Sequence, residues 1–398
     1  MLLASAKPVI LLFVGHYVPG FKAGGILRSV VNLVNHLHGE FEFMIVTRDR
    51  DLKDDRPYPN ISQREWQWVG NARVYYLSPA DESFEKIRRI VQETPHDLIY
   101  LNSFFEPLTI WVLLNRKFGR IRDVPIILSP RGEFAWASLR LKYPKKTVFM
   151  AVARIIHLYQ RITWAASSSF EADEIVQVMR VQRGAIHIAF DMPVVASESP
   201  GIAAPLSVAA APNALRIVFL SRISPEKNLD FALEVLVSAR TPIAFDVIGP
   251  IDNVAYWKKC ERLLQKMPDH VTARYVGTVD PADVMATLSR YDLLFLPSGG
   301  ENYGHVIAES LTCGTPVLTS DHTPWRNLEE RRLGWDLPLD NPEAFGRVIE
   351  TIASESEEDR FERRTKIKET VRPILNDPLV LDANRQLFNL ALAPEKRR

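Results

Sequence analysis

The sequence predicts an α/β protein made of two tandem, doubly wound domains that face each other across a cleft. Three observations predict it. Short apolar runs alternate with longer amphipathic segments along the chain. The runs are rich in Val, Ile and Leu throughout, as strands buried on both faces of a parallel sheet must be. A stretch rich in Pro and Ala, residues 193–213, interrupts the series once, and the alternation then starts again.

In chain order, Val9–Val14 comes first. It is too short to cross a bilayer, sits behind Pro8 and lacks a small-residue cleavage site, so it reads as a buried strand and not a signal peptide. A helix follows over Ile26–Leu37, with Ile26, Val30, Leu33, Val34 and Leu37 on one face. Phe43–Thr47, Arg73–Leu77, Asp97–Leu101 and Pro125–Ser129 read as further strands. After the linker, strands are expected at Leu215–Leu220, Ile243–Ile248, Val271–Val276, Leu293–Pro297 and Pro316–Ser320, with helices at Asn228–Ala239 and Ala282–Tyr291 between them. Glu355–Glu369 reads as a solvated helix of mixed charge, and 377–398 as a helical segment after Pro373 and Pro378. The domains are therefore 1–192 and 214–376, joined by 193–213. Strand–helix alternation of this kind is Rossmann-like, and such sheets bind ligands beyond the carboxyl ends of their strands.

The 398 residues are 46% apolar and 24% charged, ordinary globular values that exclude a disordered, collagenous or coiled-coil chain. Cys260 and Cys313 form neither a disulfide framework nor a CxxC metal site, which fits a reducing, cytoplasmic setting. The net charge of +1 hides an asymmetry. Residues 1–192 carry 25 Lys and Arg against 19 Asp and Glu; the remainder carries 24 against 29. The two halves are thus expected to meet different partners. Phe134 to Phe170 has no acidic residue but holds Arg140, Lys142, Lys145, Lys146, Arg154 and Arg161 among apolar residues such as Trp136, Leu139 and Leu141.

Three strand ends carry chemistry. After Leu293–Pro297 comes Ser298-Gly299-Gly300-Glu301-Asn302-Tyr303-Gly304-His305, then a helix containing Glu309. Its glycines permit close backbone approach, and the N–H groups of a helix start near Tyr303 to Val306 suit a phosphate. After Leu215–Leu220 comes Ser221-Arg222-Ile223-Ser224-Pro225-Glu226-Lys227-Asn228. Ser224 and Pro225 suit the first positions of a helix, which would put Lys227 in its first turn, against the dipole. A bound anion would explain that, with Arg222 as a second cation; a tolerated surface lysine is the plain alternative. After the first strand, Gly15-His16-Tyr17-Val18-Pro19-Gly20 leads to Gly24-Gly25 at the start of a helix. This is not GxGxxG, which argues against a nicotinamide or flavin fingerprint, and no GK[ST] P-loop, HExxH or GxSxG is present. Asp49-Arg50-Asp51 lacks the setting of a metal-binding DxD, and Asp49 to Asp55 reads as a polar acceptor-side or surface loop.

Glu301-x7-Glu309 within PSGGENYGHVIAESLTCGTPV resembles the signature of retaining glycosyltransferases of the GT-B fold, family 4, the glycosyl transferases group 1. SRISPEKNLDFALEVL, FDVIGP, YVGTVDPADV and SPRGEF resemble segments of the same family in the same order, most strongly from Leu215 to Trp335. The resemblance implies that Arg222 and Lys227 bind a donor diphosphate, that Glu309 holds the nucleotide ribose and that Glu301 contacts donor-sugar hydroxyls. Glu301, Arg222 and Lys227 are then the catalytic set. Backbone at Tyr303, Gly304 and His305 would cradle the phosphates. Gly24 and Gly25 match the family's N-domain glycine loop, and Gly249, Val276 and Gly277 would lie near the base. His16 and Arg131 fall on the acceptor side. The chain departs from the family where Arg131 replaces a common His, and where Phe190-Asp191-Met192-Pro193 replaces a frequent Pro-Asn-Gly. The family's C-terminal helix usually returns to the first domain, which is the expectation for 377–398.

The expected activity is transfer of a sugar, with retention, from a nucleotide-diphosphate sugar to a glycan or lipid-linked saccharide in polysaccharide synthesis. No metal or other cofactor is expected, because the cations meet the leaving-group charge, and no nucleic acid is expected as a partner. An epimerase of the same fold and a non-catalytic sugar-nucleotide-binding partner are the competing readings. The basic stretch 140–146 suggests an anionic membrane surface as a further partner, with the protein peripheral on the inner face of the cytoplasmic membrane.

Overall fold

The computed structural model describes residues 7–134, 139, 143–193 and 214–393. The chain divides into two compact units, Met1–Val195 with Pro378–Arg398, and Ala196–Asp377.

The first unit is built on an eight-stranded sheet. Its strands are β1 (Val9–Phe13), β2 (Glu42–Arg48), β3 (Trp66–Val69), β4 (Ala72–Leu77), β5 (Leu98–Asn102), β6 (Ile126–Ser129), β7 (Thr163–Ala166) and β8 (Ile186–Ile188), in the order β3-β4-β2-β1-β5-β6-β7-β8. All pairings are parallel except β3 with β4. Side chains alternate faces along β1. Leu11 and Phe13 join one buried cluster, packed by α2 (Phe84–Glu93), α3 (Pro107–Lys117) and α5 (Ser169–Met179), while Ile10 and Leu12 join the other. That second face is covered by α1 (Gly25–Leu37) and by α12 (Pro378–Leu392), the last helix of the chain. Phe388 of α12 is fully buried against Phe41, Phe43 and Tyr100, with ring centroids 5.2, 6.1 and 5.5 Å away. Arg385 pairs with Glu40 at 2.6 Å, and Asn384 donates to the Phe190 carbonyl at 2.8 Å.

The second unit holds β9 (Leu215–Leu220), β10 (Ile243–Ile248), β11 (Val271–Gly277), β12 (Leu293–Leu296), β13 (Val317–Ser320) and β14 (Gly334–Leu337), an all-parallel sheet in the order β11-β10-β9-β12-β13-β14. Its helices are α6 (Leu229–Val237), α7 (Val254–Leu264), α8 (Val284–Leu288), α9 (His305–Thr312), α10 (Pro342–Ala353) and α11 (Glu357–Leu375). The expected strands all form. β3, β7, β8 and β14 were not anticipated: β3 lies at the edge and is half exposed, and the other three are three or four residues long. The helix expected over 355–369 runs on to Leu375 with Pro373 inside its last turns, where a missing N–H costs one bond only.

The acid-free stretch differs from its expectation. Its helix is α4 (Tyr143–Ile155), and the outer face of that helix carries apolar side chains. Val148, Val152 and Ile155 are 64, 50 and 77% exposed, while Ala153 is buried. Of the cations at 140–146, Arg140 and Lys142 lie outside the described residues, as do Trp136 and Leu141. Lys145 is exposed, but Lys146 lays its ammonium 4.7 Å over the ring of Phe105.

Candidate functional site

The strand order of the second unit reverses between β9 and β12, and the loops after these two strands carry the predicted residues. The loop after β9 corrects one expectation. Pro225–Lys227 is a single 3-10 turn, so Lys227 is not in the first turn of an α-helix. Ser224 makes no side-chain capping bond, and its buried hydroxyl has no partner among the described residues. The cause is Asn228, whose left-handed backbone (φ 52°) separates the turn from α6. Its side-chain amide donates to the Pro297 carbonyl at 2.9 Å, and Gly299 N–H donates to the Glu226 carbonyl at 2.7 Å. These bonds stitch the two loops together and turn Lys227 inward. Lys227 is buried, with its ammonium 2.7 Å from Glu301 Oε1 and 3.5 Å from the Gly300 carbonyl. Arg222 reaches Asp252 Oδ2 at 3.4 Å. Both cations therefore have carboxylate partners that sequence proximity does not reveal, 74 and 30 residues away.

After β12, Gly304 caps α9 in a left-handed conformation (φ 79°). A Cβ there would stand 3.3 Å from the Trp325 ring, whose Nε1–H donates to the Tyr303 carbonyl at 2.7 Å. Tyr303 and His305 lie ring to ring at 4.8 Å across the helix start. Glu309 is buried in α9, while Glu301 is half-buried in the loop. Gly249 (φ 143°) is needed because a Cβ would lie 1.9 Å from the Ser221 carbonyl oxygen. Gly249 N–H donates to the Gly277 carbonyl at 2.7 Å, beside half-buried Val276, and the Tyr275 hydroxyl donates to the Gly249 carbonyl at 3.0 Å. Arg222, Lys227, Gly249, Val276, Gly277 and the 301–309 segment thus gather at one end of one sheet.

In the first unit, Gly24 (φ 72°, ψ −131°) caps α1 in a conformation open to glycine alone, next to exposed Gly25. The loop before it is pinned by Asp51, which accepts from Phe21 N–H at 2.7 Å, Lys22 N–H at 3.0 Å and Leu52 N–H at 2.8 Å. Asp49 is fully buried and accepts from Arg50 and Gln63, each at 2.8 Å. Of the two expectations for this loop, these carboxylates do not fit a surface loop: they are buried and hold the backbone of the neighbouring loop and the guanidinium that follows. His16 is half-buried with Nδ1 3.1 Å from the Arg50 carbonyl. Burial pushes its pKa below the usual value, aided by Arg48 and opposed by the Arg50 hydrogen bond and by Glu106 and Asp51.

Arg131 is buried. Its Nε and Nη2 donate to Asn102 Oδ1 at 3.1 and 2.9 Å, Nη2 also to the Tyr100 hydroxyl at 3.0 Å, and Nη1 pairs with Asp191. The two places where the sequence departs from the family pattern therefore meet in one buried ion pair. Asn32 donates to the adjacent Met192 carbonyl at 2.8 Å, fixing the same segment to α1. Sequence reasoning missed the partnerships of Asp191, Asn228, Asp252 and Trp325. Asp191 carried a signal as a departure from the family pattern, and Asn228 another, since Asn tolerates the left-handed region.

Residues 207–372 match the family model of glycosyl transferases group 1. The second unit is a glycosyl transferases group 1 domain. The chain is 26% identical over 164 residues to a D-inositol 3-phosphate glycosyltransferase of Jonesia denitrificans, a match that spans 38% of each chain. Among solved structures it resembles a sucrose-phosphate synthase of Thermosynechococcus elongatus, with a TM-score of 0.70 and 17% identity over 96% of this chain and 99% of that one. It also resembles HepE of Anabaena in complex with UDP and glucose, with a TM-score of 0.67 and 14% identity over 96 and 99%. The fold is GT-B.

Proposed function

We propose that the protein is a retaining glycosyltransferase that moves a sugar from a nucleotide-diphosphate sugar to a saccharide acceptor, glycan or lipid-linked, in polysaccharide synthesis. One observation carries the reading: Arg222, the Lys227–Glu301 pair and buried Glu309 gather at the switch point of the second unit. The UDP and glucose named with HepE support a donor of this class.

Cleaving the bond between the anomeric carbon and the diphosphate leaves negative charge on the phosphate. Arg222 and Lys227 meet it, with the first N–H groups of α9. An ammonium has three donors, so Lys227 can hold Glu301 and still serve phosphate oxygens. The pair couples the leaving-group cation to the carboxylate that orients the donor sugar, and positioning of this kind lowers the entropic part of the barrier. Glu309 binds the ribose. Retention follows when the departing phosphate accepts the acceptor's proton on the same face of the sugar. The cations do the work a metal would otherwise do, so activity should survive a chelator.

The test is a thermal-shift screen of UDP-, GDP-, ADP- and dTDP-sugars, followed by nucleotide release with and without acceptors. Release only with an acceptor supports transfer. Rearranged donor without release indicates an epimerase, and binding without turnover indicates a non-catalytic partner.

The proposal includes peripheral attachment to an anionic membrane. Among the described residues no helix is long and apolar enough to cross one. At about 100° per residue, Val148, Ala151, Val152 and Ile155 form one outward stripe of α4, with Lys145 and Arg154 on its flanks. Such a helix lies in the lipid interface, and each cation near an anionic leaflet contributes ~1 kcal/mol. Flotation with anionic liposomes should be lost in Val148→Asp/Val152→Asp and weakened by salt; equal binding to neutral liposomes would remove the electrostatic half.

A further inference from the structure

The first unit has a switch point of its own. The chain proceeds from β1 outward to β2 and β4 on one side, and from β5 to β8 on the other. The crevice beyond the carboxyl ends of β1 and β5 is where a doubly wound sheet takes its ligand. Four charged or titratable side chains stand there. His16 follows β1, Arg48 ends β2, Glu82 follows β4, and Glu106 precedes α3.

Arg48 binds both carboxylates. Nε and Nη2 lie 2.8 and 2.9 Å from the two Glu82 oxygens, and Nη2 and Nη1 lie 2.6 and 3.3 Å from those of Glu106. The three side chains are 18, 19 and 15% exposed, so they are held in place yet open to a ligand. Gly15 makes room for them: an added Cβ would stand 2.5 Å from Glu106 Oε2 and 2.7 Å from Arg48 Nη1. His16 Nδ1 faces the Arg50 carbonyl, which can only accept, so Nδ1 carries the proton and Nε2 keeps its lone pair. Burial and Arg48 favour that neutral form. At the end of β5, buried Ser103 holds a left-handed φ of 75°, the kind of backbone strain that collects at functional sites.

The chemistry of this cluster is one-sided. The Arg48 guanidinium is spent on two carboxylates, whose oxygens have lone pairs to spare. His16 Nε2 also accepts. The cluster offers acceptors and a net charge of −1, so it recognises groups that donate hydrogen bonds and repels anions. Hydroxyl groups of a neutral sugar fit; a phosphate, which brings only acceptors and charge, does not. Resting on the glycosyltransferase reading, we propose that His16, Glu82 and Glu106 form the acceptor subsite and that the acceptor presents an uncharged sugar end to them. Any phosphate on a lipid-linked acceptor lies away from this cluster.

The experiment measures nucleoside-diphosphate release from UDP-glucose and GDP-mannose. The probes are methyl glycosides of glucose, galactose, mannose and N-acetylglucosamine, with glucose, galactose and mannose 6-phosphates as their charged counterparts. At least one neutral glycoside should raise release above the water background, and the phosphates should not. Glu106→Gln and Gly15→Ala should each raise the acceptor KM about tenfold or more, leaving the thermal shift given by UDP or GDP unchanged. Gly15→Ala displaces only the ends of two flexible side chains, so it keeps the test alive if Glu106→Gln fails to fold. Faster release with the phosphates, no response to any neutral glycoside, or an unchanged acceptor KM in both variants overturns the proposal. Absence of any nucleotide or nucleotide-sugar shift in the wild type would instead overturn the glycosyltransferase reading beneath it.

Discussion

Replacing Arg131 by methionine tests whether this residue acts on the acceptor or holds the first unit together. Methionine keeps the unbranched bulk and removes the charge. It takes the guanidinium away from the Asp191 carboxylate, which is 4% exposed, and takes donors from Asn102 Oδ1 and the Tyr100 hydroxyl. Breaking a buried pair from one side costs about 3–5 kcal/mol, because an uncompensated charge remains. For a unit of this size each kcal/mol lowers the melting temperature by about 2–4 °C, so a fall of roughly 6–20 °C is expected in calorimetry. Asp191→Asn should cost a similar amount. The double variant Arg131→Met/Asp191→Asn removes both charges of the pair, and its cost should fall below the sum of the singles by about 2 kcal/mol or more. At a temperature where it is folded, the double variant should keep most of its turnover. A single variant within ~1 kcal/mol of wild type, or singles that simply add, would refute the buried-pair argument. A well-folded double variant without turnover would return Arg131 to the acceptor.

Further outcomes follow from the second unit and from one buried acid. Lys227→Ala and Arg222→Ala should each lower turnover by orders of magnitude in folded protein; wild-type rates on the true donor would end the diphosphate assignment. Glu309→Gln should mainly weaken nucleotide binding and Glu301→Gln mainly slow the chemical step, because a contact to the reacting sugar tightens in the transition state; equal effects on donor affinity would erase that division. Glu133 accepts from Phe104 and Phe105 N–H at 2.5 and 2.9 Å, and burial raises its pKa to about 7. Between pH 4.5 and 7 the folded chain keeps a proton that the unfolded chain has lost, so this group's contribution falls as pH rises. Glu133→Gln should remove that penalty, on the order of 3 kcal/mol above pH 7. Urea midpoints at pH 5 and pH 8 that differ equally in both proteins would contradict it.

What could be read in advance and what could not divide along a physical line. Strands such as Leu215–Leu220 and Val9–Phe13 announce themselves because both faces are buried, so nearly every position must be apolar. Trp66–Val69 is an edge strand with one partner, and nothing in its sequence is forced in that way. Glycines at 24, 249 and 304 were singled out in the sequence, and the structure supplies a backbone reason for each: positive φ at all three, with the Ser221 carbonyl crowding Gly249. Motif order put Arg222, Lys227, Glu301 and Glu309 after two strands, and the fold makes those strands neighbours.

Partnerships were decided by the tertiary structure alone. Lys227 with Glu301, Arg131 with Asp191, and Arg48 with Glu82 and Glu106 join residues 34 to 74 positions apart. A charged side chain is compatible with water wherever it stands, so its sequence neighbours do not constrain it. Only when strand order brings loop ends together does burial demand a counter-charge, and the demand then falls on whichever residue the fold has placed within reach. The sequence by itself determined which stretches become strands and which strand ends can carry chemistry, because hydrophobic periodicity and backbone sterics act locally. The topology decided which charges meet, because desolvation acts on the assembled sheet.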